Sequence, residues 1–470
     1  MLDNAINKLA SILNENPWMA EIAGILPLSA LIDFVDVPLK LHVHQLVSGV
    51  PLWSWPITPL GSRLLLSKDA PRDVPCLDRF GRSTSLEALD GRYGDQYFVS
   101  SPETLRLALG AQNAGVLSNN HENMGGSDLR VQNLQVVFVS RAQPKGRDMS
   151  KARWYHQTLG HPSMHSPSFL ATAAIGWIAL IGCTIGTLLL SLHIAATFLL
   201  LMPVTGIFVH LIHGGRPRRL LVNSMSDYDR MVVVSEHSNS ADWTVFYGES
   251  TLVNSFLNRP LEPTKRVQEA SSFQLKVLMF ILRLLILAQW AAAIAAAATK
   301  DWNSFFICFW VVFCNTTHGF IIPPKGRTGD WVGRCAKMQL HCYKTRVSSR
   351  RALLSTLVAL NPDTFAEKVG FKGEERATMF AEGMKWVDPI LKPSGSRTMW
   401  EDGMREALNE VAAGDPEDVP LGSLQKDRAF SAHWNEKYGR EFWKSFVSEG
   451  IYMATQIKLA DDFQTRKTAC

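Results

Sequence analysis

The segment Val232 to Trp243, VVVSEHSNSADW, ends a short apolar run in a histidine and places an aspartate five residues further on. Histidine is the side chain best suited to taking a proton from a hydroxyl near neutral pH. An aspartate beside it can orient the ring and stabilise the imidazolium that forms. His237 and Asp242 are therefore the candidate catalytic pair.

Two further polar residues stand inside an apolar helix. Lys276 to Trp302 reads KVLMFILRLLILAQWAAAIAAAATKDW. Arg283 falls about 9 Å inside the span edge at Val277, at roughly 1.5 Å per residue. A long side chain can snorkel back over that depth. Neighbouring leucines and isoleucines offset most of the insertion cost of about 2.5–3.5 kcal/mol. The weakly apolar run Ala291 to Ala298 predicts packing on another helix. If Arg283 and Gln289 share that packed face, they are the intramembrane polar site.

Other spacings are less productive. His210 and His213 lie one helical turn apart, which suits a metal on one face. No other span offers a matching pair, so no metal or cofactor is expected, and the two read as interfacial anchors. His42, His44 and the cluster His156, His161 and His165 read as surface or interface residues. Gly182-x-x-x-Gly186 is a small-residue face for close helix packing. The seven cysteines contain no C-x-x-C pair, and no P-loop, G-x-G-x-x-G or G-x-S-x-G is present.

These residues need a membrane scaffold to position them. Trp154 to Gly215 contains no Asp, Glu, Lys or Arg. Within it, Phe169 to His213 is about twice the length that crosses a hydrocarbon core, which predicts a helical hairpin turning near Ser191 to Ile194. Val277 to Ala298 and Trp302 to Ile322 predict a second hairpin with Thr299-Lys300-Asp301 as its turn. Lys151, Arg153, Arg216 and Arg218 flank the first, and Lys276, Lys325, Arg327 and Arg334 the second. By the positive-inside rule all these ends, and both termini, are cytoplasmic. Trp18 to Trp53 is cut by prolines and holds Glu21, Asp33, Asp36 and Lys40, so it reads as interfacial or packed on the membrane domain. The net charge of +5 is mild and gathers beside apolar segments, which excludes a nucleic-acid footprint.

The fold class expected is mainly α: a multi-pass membrane protein of two transmembrane hairpins, with a cytoplasmic mixed α/β N-terminal part and a helical C-terminal part. The boundaries are 1–168, 169–213, 214–272, 273–322 and 323–470. Leu134 to Ser140 has strand composition. Ser101-Pro102-Glu103 opens a helix through Leu109. Arg334 to Arg351 reads as a basic helix, Asp363 as a helix cap, Thr398 and Glu401 as a capping box, and Arg440 to Leu459 as the final helix. The expected partners are the lipid bilayer and membrane or cytosolic proteins.

Two resemblances add to this. His-x4-Asp after an apolar run resembles the first motif of glycerolipid acyltransferases, which implies acyl transfer with His237 as general base and Asp242 orienting it. The chain departs from that family in having Glu236 before the histidine, and Pro323 to Asp330, PPKGRTGD, lacks the family's glutamate. Separately, Ala241 to Thr264, Leu357 to Phe365 and Val387 to Leu408 together resemble uncharacterised integral membrane proteins of filamentous fungi. That resemblance implies an accessory or scaffold role linked to specialised metabolism, and it implies no catalytic residue. A small transporter is a third expectation, disfavoured by the small number of spans.

Overall fold

The computed structural model describes residues 2–31, 36–49, 52–66, 74–80, 85–120, 130–142, 167–214, 217–222, 224–262, 272–361, 383–413 and 440–469. His156, His161, His165 and Asp363 lie outside them.

In chain order the N-terminal part supplies helices α1 (Leu2–Glu15), α2 (Pro17–Ile25), α3 (Val37–Val47), α4 (Pro59–Leu65), α5 (Cys76–Phe80) and α6 (Pro102–Gly110). It also supplies strands β1 (Glu87–Asp90), β2 (Gln96–Phe98), β3 (Ala114–Val116) and β4 (Gln132–Arg141). Helices α7 (Pro167–Leu189) and α8 (His193–His213) form the first hairpin. Strands β5 (Asp229–Ser235) and β6 (Asp242–Glu249) and helix α9 (Ser250–Leu257) follow. The second hairpin is α10 (Ser272–Thr299) and α11 (Trp302–Thr316), which ends in a π turn at Thr317–Ile321. The last part is α12 (Pro324–Asp330), β7 (Met338–Val347), α13 (Arg350–Leu360), α14 (Gly395–Ala413) and α15 (Arg440–Ala469).

Four helices are long and apolar enough to cross a membrane, at Phe169–Leu189, His193–His213, Phe273–Thr299 and Trp302–Ile321. Each hairpin turns on one residue in the left-handed region, Ser191 (φ 60°) and Lys300 (φ 51°). The turns are tied together: Asn303 Oδ1 accepts from the Ala195 N–H at 2.9 Å, and Asp301 caps α11 by accepting from Asn303 N–H at 3.0 Å. On α10, Leu282, Ile286, Gln289, Ala293 and Ala296 are buried, a helical stripe that meets the other spans.

The parts outside the spans are not separate regions. They join in one seven-stranded sheet of order β2-β1-β5-β6-β4-β7-β3. β4 pairs parallel with β6 and antiparallel with β7 over ten residues. The fold is thus mixed α/β around a shared sheet rather than mainly α with a helical C-terminal part. The basic helix expected over Arg334 to Arg351 is largely strand β7. Its burial alternates, with Met338 and Leu340 inside and Gln339 outside, then Tyr343, Thr345 and Val347 inside and Lys344 and Arg346 outside, which is the two-residue period of a strand. The strand expected at Leu134 to Ser140 is present as β4. Helix α6 starts at Pro102, but its cap comes from α5: Asp78 accepts from the N–H groups of Glu103 at 2.7 Å and Thr104 at 3.4 Å. Thr398 falls inside α14, where Glu401 pairs with Arg397 at 2.6 Å instead of capping.

The central strands bury both faces, so they read as continuous valine runs. Val233 and Val245 face α13, α14 and α15. Val232, Val234 and Phe246 face α6, α9, the residues 331–336 and the end of α3. Helix α3 couples sheet to bundle. Val43, Leu46 and Val47 join the sheet cluster, while Val37 and Leu41 pack with Val209, Ile212, Leu282 and Ile286 of the spans. Trp331 Nε1 donates to Arg218 O at 2.9 Å, and Arg218 N donates to Leu46 O at 3.0 Å.

The N-terminal helices sit at the other end of the bundle. Trp302 Nε1 donates to Leu9 O at 2.8 Å, and Gly24 lies against Lys300 and Ala297. Between α2 and α3 the chain therefore passes from the level of Ala297 to that of Leu282, about 22 Å along α10 at 1.5 Å per residue. Residues 52–57 then turn back into the bundle. Trp53 and Trp55 are fully buried, and Trp53 packs on Trp310 with ring centroids 5.9 Å apart. A Cβ on Gly176 would fall 2.1 Å from the Trp53 ring, and one on Gly206 would fall 2.0 Å from Leu52 O. Only glycine permits these approaches. The described residues of the Trp18 to Trp53 region thus pack on the helical bundle at α3 and at residues 52–53, while Trp18 and Ile25 stay exposed.

Candidate functional site

His237 lies in the exposed turn between β5 and β6, where its Nδ1 accepts from the Asn239 N–H at 3.1 Å. Asp242 begins β6, and its Oδ1 accepts from Asn133 Nδ2 on β4 at 2.7 Å. The two side chains are thus held by different partners and share no hydrogen bond. Asp242 lines a cavity of about 580 Å³ with Asn133, Lys344 and Arg346, and His237 does not line it. The turn is also at the far end of the sheet. The chain joins the sheet from the bundle at the ends holding Arg141, Asp229, Glu249 and Met338. Strand β6 is eight residues long, about 25 Å at 3.3 Å per residue. The pair stands a strand length from the ends nearest the membrane segments.

A denser set of reactive groups lies where α3, the inserted residues 52–57 and the spans meet. Lys40 is buried and donates from Nζ to Ser54 Oγ at 3.2 Å. Ser54 Oγ shares a second, short hydrogen bond with His318 Nε2. The Lys40 ammonium also sits 4.3 Å from the centroid of the Trp55 ring, a cation–π contact. Beside them His44 Nε2 and His210 Nδ1 approach to 3.3 Å. A serine hydroxyl between an ammonium and an imidazole is the arrangement of an activated nucleophile. Ser54 is fully buried, however, so in this conformation the arrangement closes on itself and presents no hydroxyl to a substrate.

Gln289 belongs to the same interior. Its Oε1 accepts from the Ile57 N–H at 3.2 Å, and its Nε2 donates to Thr205 Oγ1 at 2.7 Å and Trp55 O at 3.3 Å. These bonds satisfy backbone that leaves helical geometry inside the bundle, which lipid could not do. Arg283 does not join it. Six residues turn a helix through about 600°, so Arg283 points about 120° away from Gln289. It is half-exposed. Gly182 and Gly186 pack on nothing among the described residues: a Cβ at either would meet none of their atoms within 4 Å. Close approaches fall at Gly176 and Gly206, against Trp53 and Leu52 of the non-helical residues 52–57.

Sequence reading missed Lys40, Ser54 and the packing of His42 and His44, which are buried rather than at the surface. A signal existed in α3, VPLKLHVHQLV, where polar residues occur on every side of an otherwise apolar helix. Nine of its eleven residues are buried, so each of those polar groups needs a partner inside the protein. His42 finds Thr104 Oγ1 at 3.2 Å and the Leu77 N–H at 3.0 Å. Arg327 reads as a basic flank but is buried, donating to Gly49 O at 2.9 Å and Asp330 at 3.1 Å and covering the Phe169 ring at 3.9 Å. His213 meets Leu65 O at 3.3 Å. Among the described residues no three His, Cys, Asp or Glu side chains gather as a metal site.

No family model, curated protein or solved structure matches this chain.

Proposed function

We propose that the protein is a membrane-anchored accessory or scaffold protein, in which the four-helix bundle holds the α/β domain against one side of the membrane. The observation that carries this is the coupling through α3: one helix belongs at once to the bundle cluster around Leu282 and to the sheet cluster around Val232. Such a joint transmits position, and the buried Lys40–Ser54–His318 and Gln289 networks stiffen it. The basic residues at the sheet end of the spans support a cytoplasmic α/β domain. The contacts of Leu9 and Gly24 with the far turn support an N-terminus on the opposite side, in place of the cytoplasmic N-terminus expected from the flanking charges. A link to fungal specialised metabolism, implied by resemblance alone, belongs to the same proposal.

Glycosylation acceptors inserted beside Leu2, beside Asp229 and at the C-terminus test the anchoring. The first should be modified and the other two should not. Equal states at Leu2 and Asp229 would put the N-terminus on the same side as the α/β domain. The His237→Ala variant tests the scaffold role against acyl transfer. Full rescue of cells lacking the gene is expected. Loss of rescue at normal protein level would return the reading to an enzyme.

A further inference from the structure

A cavity of about 600 Å³ opens where the β5–β6 turn meets the start of α13 and the residues before α14. That volume is typical of a site for a small organic ligand. Three arginines line it, Arg130, Arg350 and Arg351, and among the described residues no acidic side chain does. Arg130 donates to Asn239 O at 3.2 Å, and Arg350 donates to Asn239 Oδ1 at 3.1 Å. Each guanidinium carries five N–H donors in a fixed fork, so both keep donors for a further acceptor. Among the described residues neither arginine forms an ion pair. The opposite wall is apolar, with Leu354 and the almost fully buried Trp400.

We propose that this cavity binds a soluble organic anion, a molecule with a carboxylate or phosphate group on an apolar body. The forks of Arg130 and Arg350 match a planar or tetrahedral oxyanion held by two donors at once. Leu354 and Trp400 take the apolar body. The cavity lies on the sheet face away from α3, the helix shared with the bundle, and at the strand ends opposite those that join the bundle. That placement favours a soluble ligand over a lipid head group of the surrounding bilayer. Asn239 ties the site to the turn that carries His237, so the segment singled out by its chemistry forms part of a binding wall. Burial lowers the Arg350 pKa, and a bound anion would oppose that shift. The proposal goes beyond anchoring, and its test is independent of membrane orientation.

The full chain in detergent is titrated calorimetrically at low salt with 1-naphthyl phosphate, 1-naphthoate and neutral 1-naphthol. At least one anion should bind with a Kd below millimolar, and 1-naphthol at least tenfold more weakly. Arg130→Gln with Arg350→Gln should weaken the anion tenfold or more at an unchanged Tm without ligand. Arg350→Lys, which keeps charge but loses the fork, should fall between. If the double variant does not fold, Leu354→Trp, which fills the cavity from its apolar side, should abolish binding in its place. Equal binding of 1-naphthol, full affinity in the cavity variants, or no binding of either anion at millimolar concentration would overturn the proposal. So would loss of anion binding in nanodiscs containing phosphatidylserine, since that would make the lipid head group the ligand.

Discussion

Inside the bundle, Gln289 uses both ends of its amide on groups of the same chain, Ile57 N–H, Trp55 O and Thr205 Oγ1. At the outer corner of the sheet, Arg350 and Arg130 use one donor each on Asn239 and still face a cavity. Both regions hold polar side chains beside apolar walls. In the first, the Gln289 amide is closed at both ends on protein partners, as buried polar groups are where water is absent. The second keeps guanidinium donors beyond those used on Asn239 at the wall of a cavity, which suits a recognition site. Under the two proposals above, the difference divides the labour: the bundle positions, and the far end of the sheet recognises.

The sharpest way to break the comparison is to force the bundle open. In Gly206→Leu a side chain would meet Leu52 O, already 2.0 Å from an ideal Cβ, and the Trp55 ring atom at 2.6 Å. Backbone cannot yield as a flexible side chain does, so the cost should reach or exceed about 3 kcal/mol, the upper end for overpacking. Size-exclusion profiles and thermal unfolding in detergent should show largely misfolded protein. Gly182→Leu is the control, because a Cβ there meets nothing within 4 Å, and its effect should stay within about 0.5 kcal/mol. Equal behaviour of the two variants would mean that residues 52–57 do not sit in the bundle.

A smaller effect separates the two polar residues of α10. Gln289→Leu leaves the Ile57 N–H and the Trp55 carbonyl without partners and should cost about 1–3 kcal/mol. Arg283→Leu, on the half-exposed side, should cost none of this. A matched loss in both would put Arg283 on the inner face after all. Thermal unfolding of both variants against the parent is the measurement.

These pairs also show what the sequence carries. The four spans were legible because an uninterrupted apolar run of span length has few other uses. Strand β4 was legible from Leu134 to Ser140 because its composition is β-branched and aromatic. The shared sheet was not, since β4, β6 and β7 come from three parts of the chain separated by hairpins, and pairing across such distances leaves no local mark. Gly182 and Gly206 differ for the same reason. Both are glycines in apolar helices, and only the distant Leu52 makes one of them indispensable. Arg327 shows the limit of charge patterning. It counts toward the positive flank, yet its side chain is buried against Phe169 and Gly49. Lys40 and Ser54 lie 14 residues apart and meet His318 only through tertiary structure.

The smallest expected effect comes from a carboxylate gripped by a guanidinium. At the bundle end of the sheet, Arg141 grips Glu249 with Nε and an Nη, both at 2.6 Å. The Thr251 hydroxyl adds a bond at 2.6 Å and the Ser226 N–H one at 3.1 Å. The guanidinium bonds are the main cause that holds the Glu249 pKa down, to about 2. An unfolded glutamate titrates near 4.3. Because the folded pKa is the lower one, the stabilisation is fully present above about pH 4.3 and is lost as pH falls toward about 2. Arg141 is over a third exposed, so solvent screening should hold the net contribution to about 0.2–1 kcal/mol. Glu249→Gln should therefore lower the Tm slightly at pH 6, and the gap from the parent should narrow steadily between pH 4 and pH 2.5. A gap of constant size across that range would mean that the carboxylate charge adds nothing beyond its hydrogen bonds. The fork of Arg141 on a carboxylate is also the geometry proposed for Arg350 on a ligand, so salt should shrink both effects together, and a salt-insensitive Glu249 gap would remove that parallel.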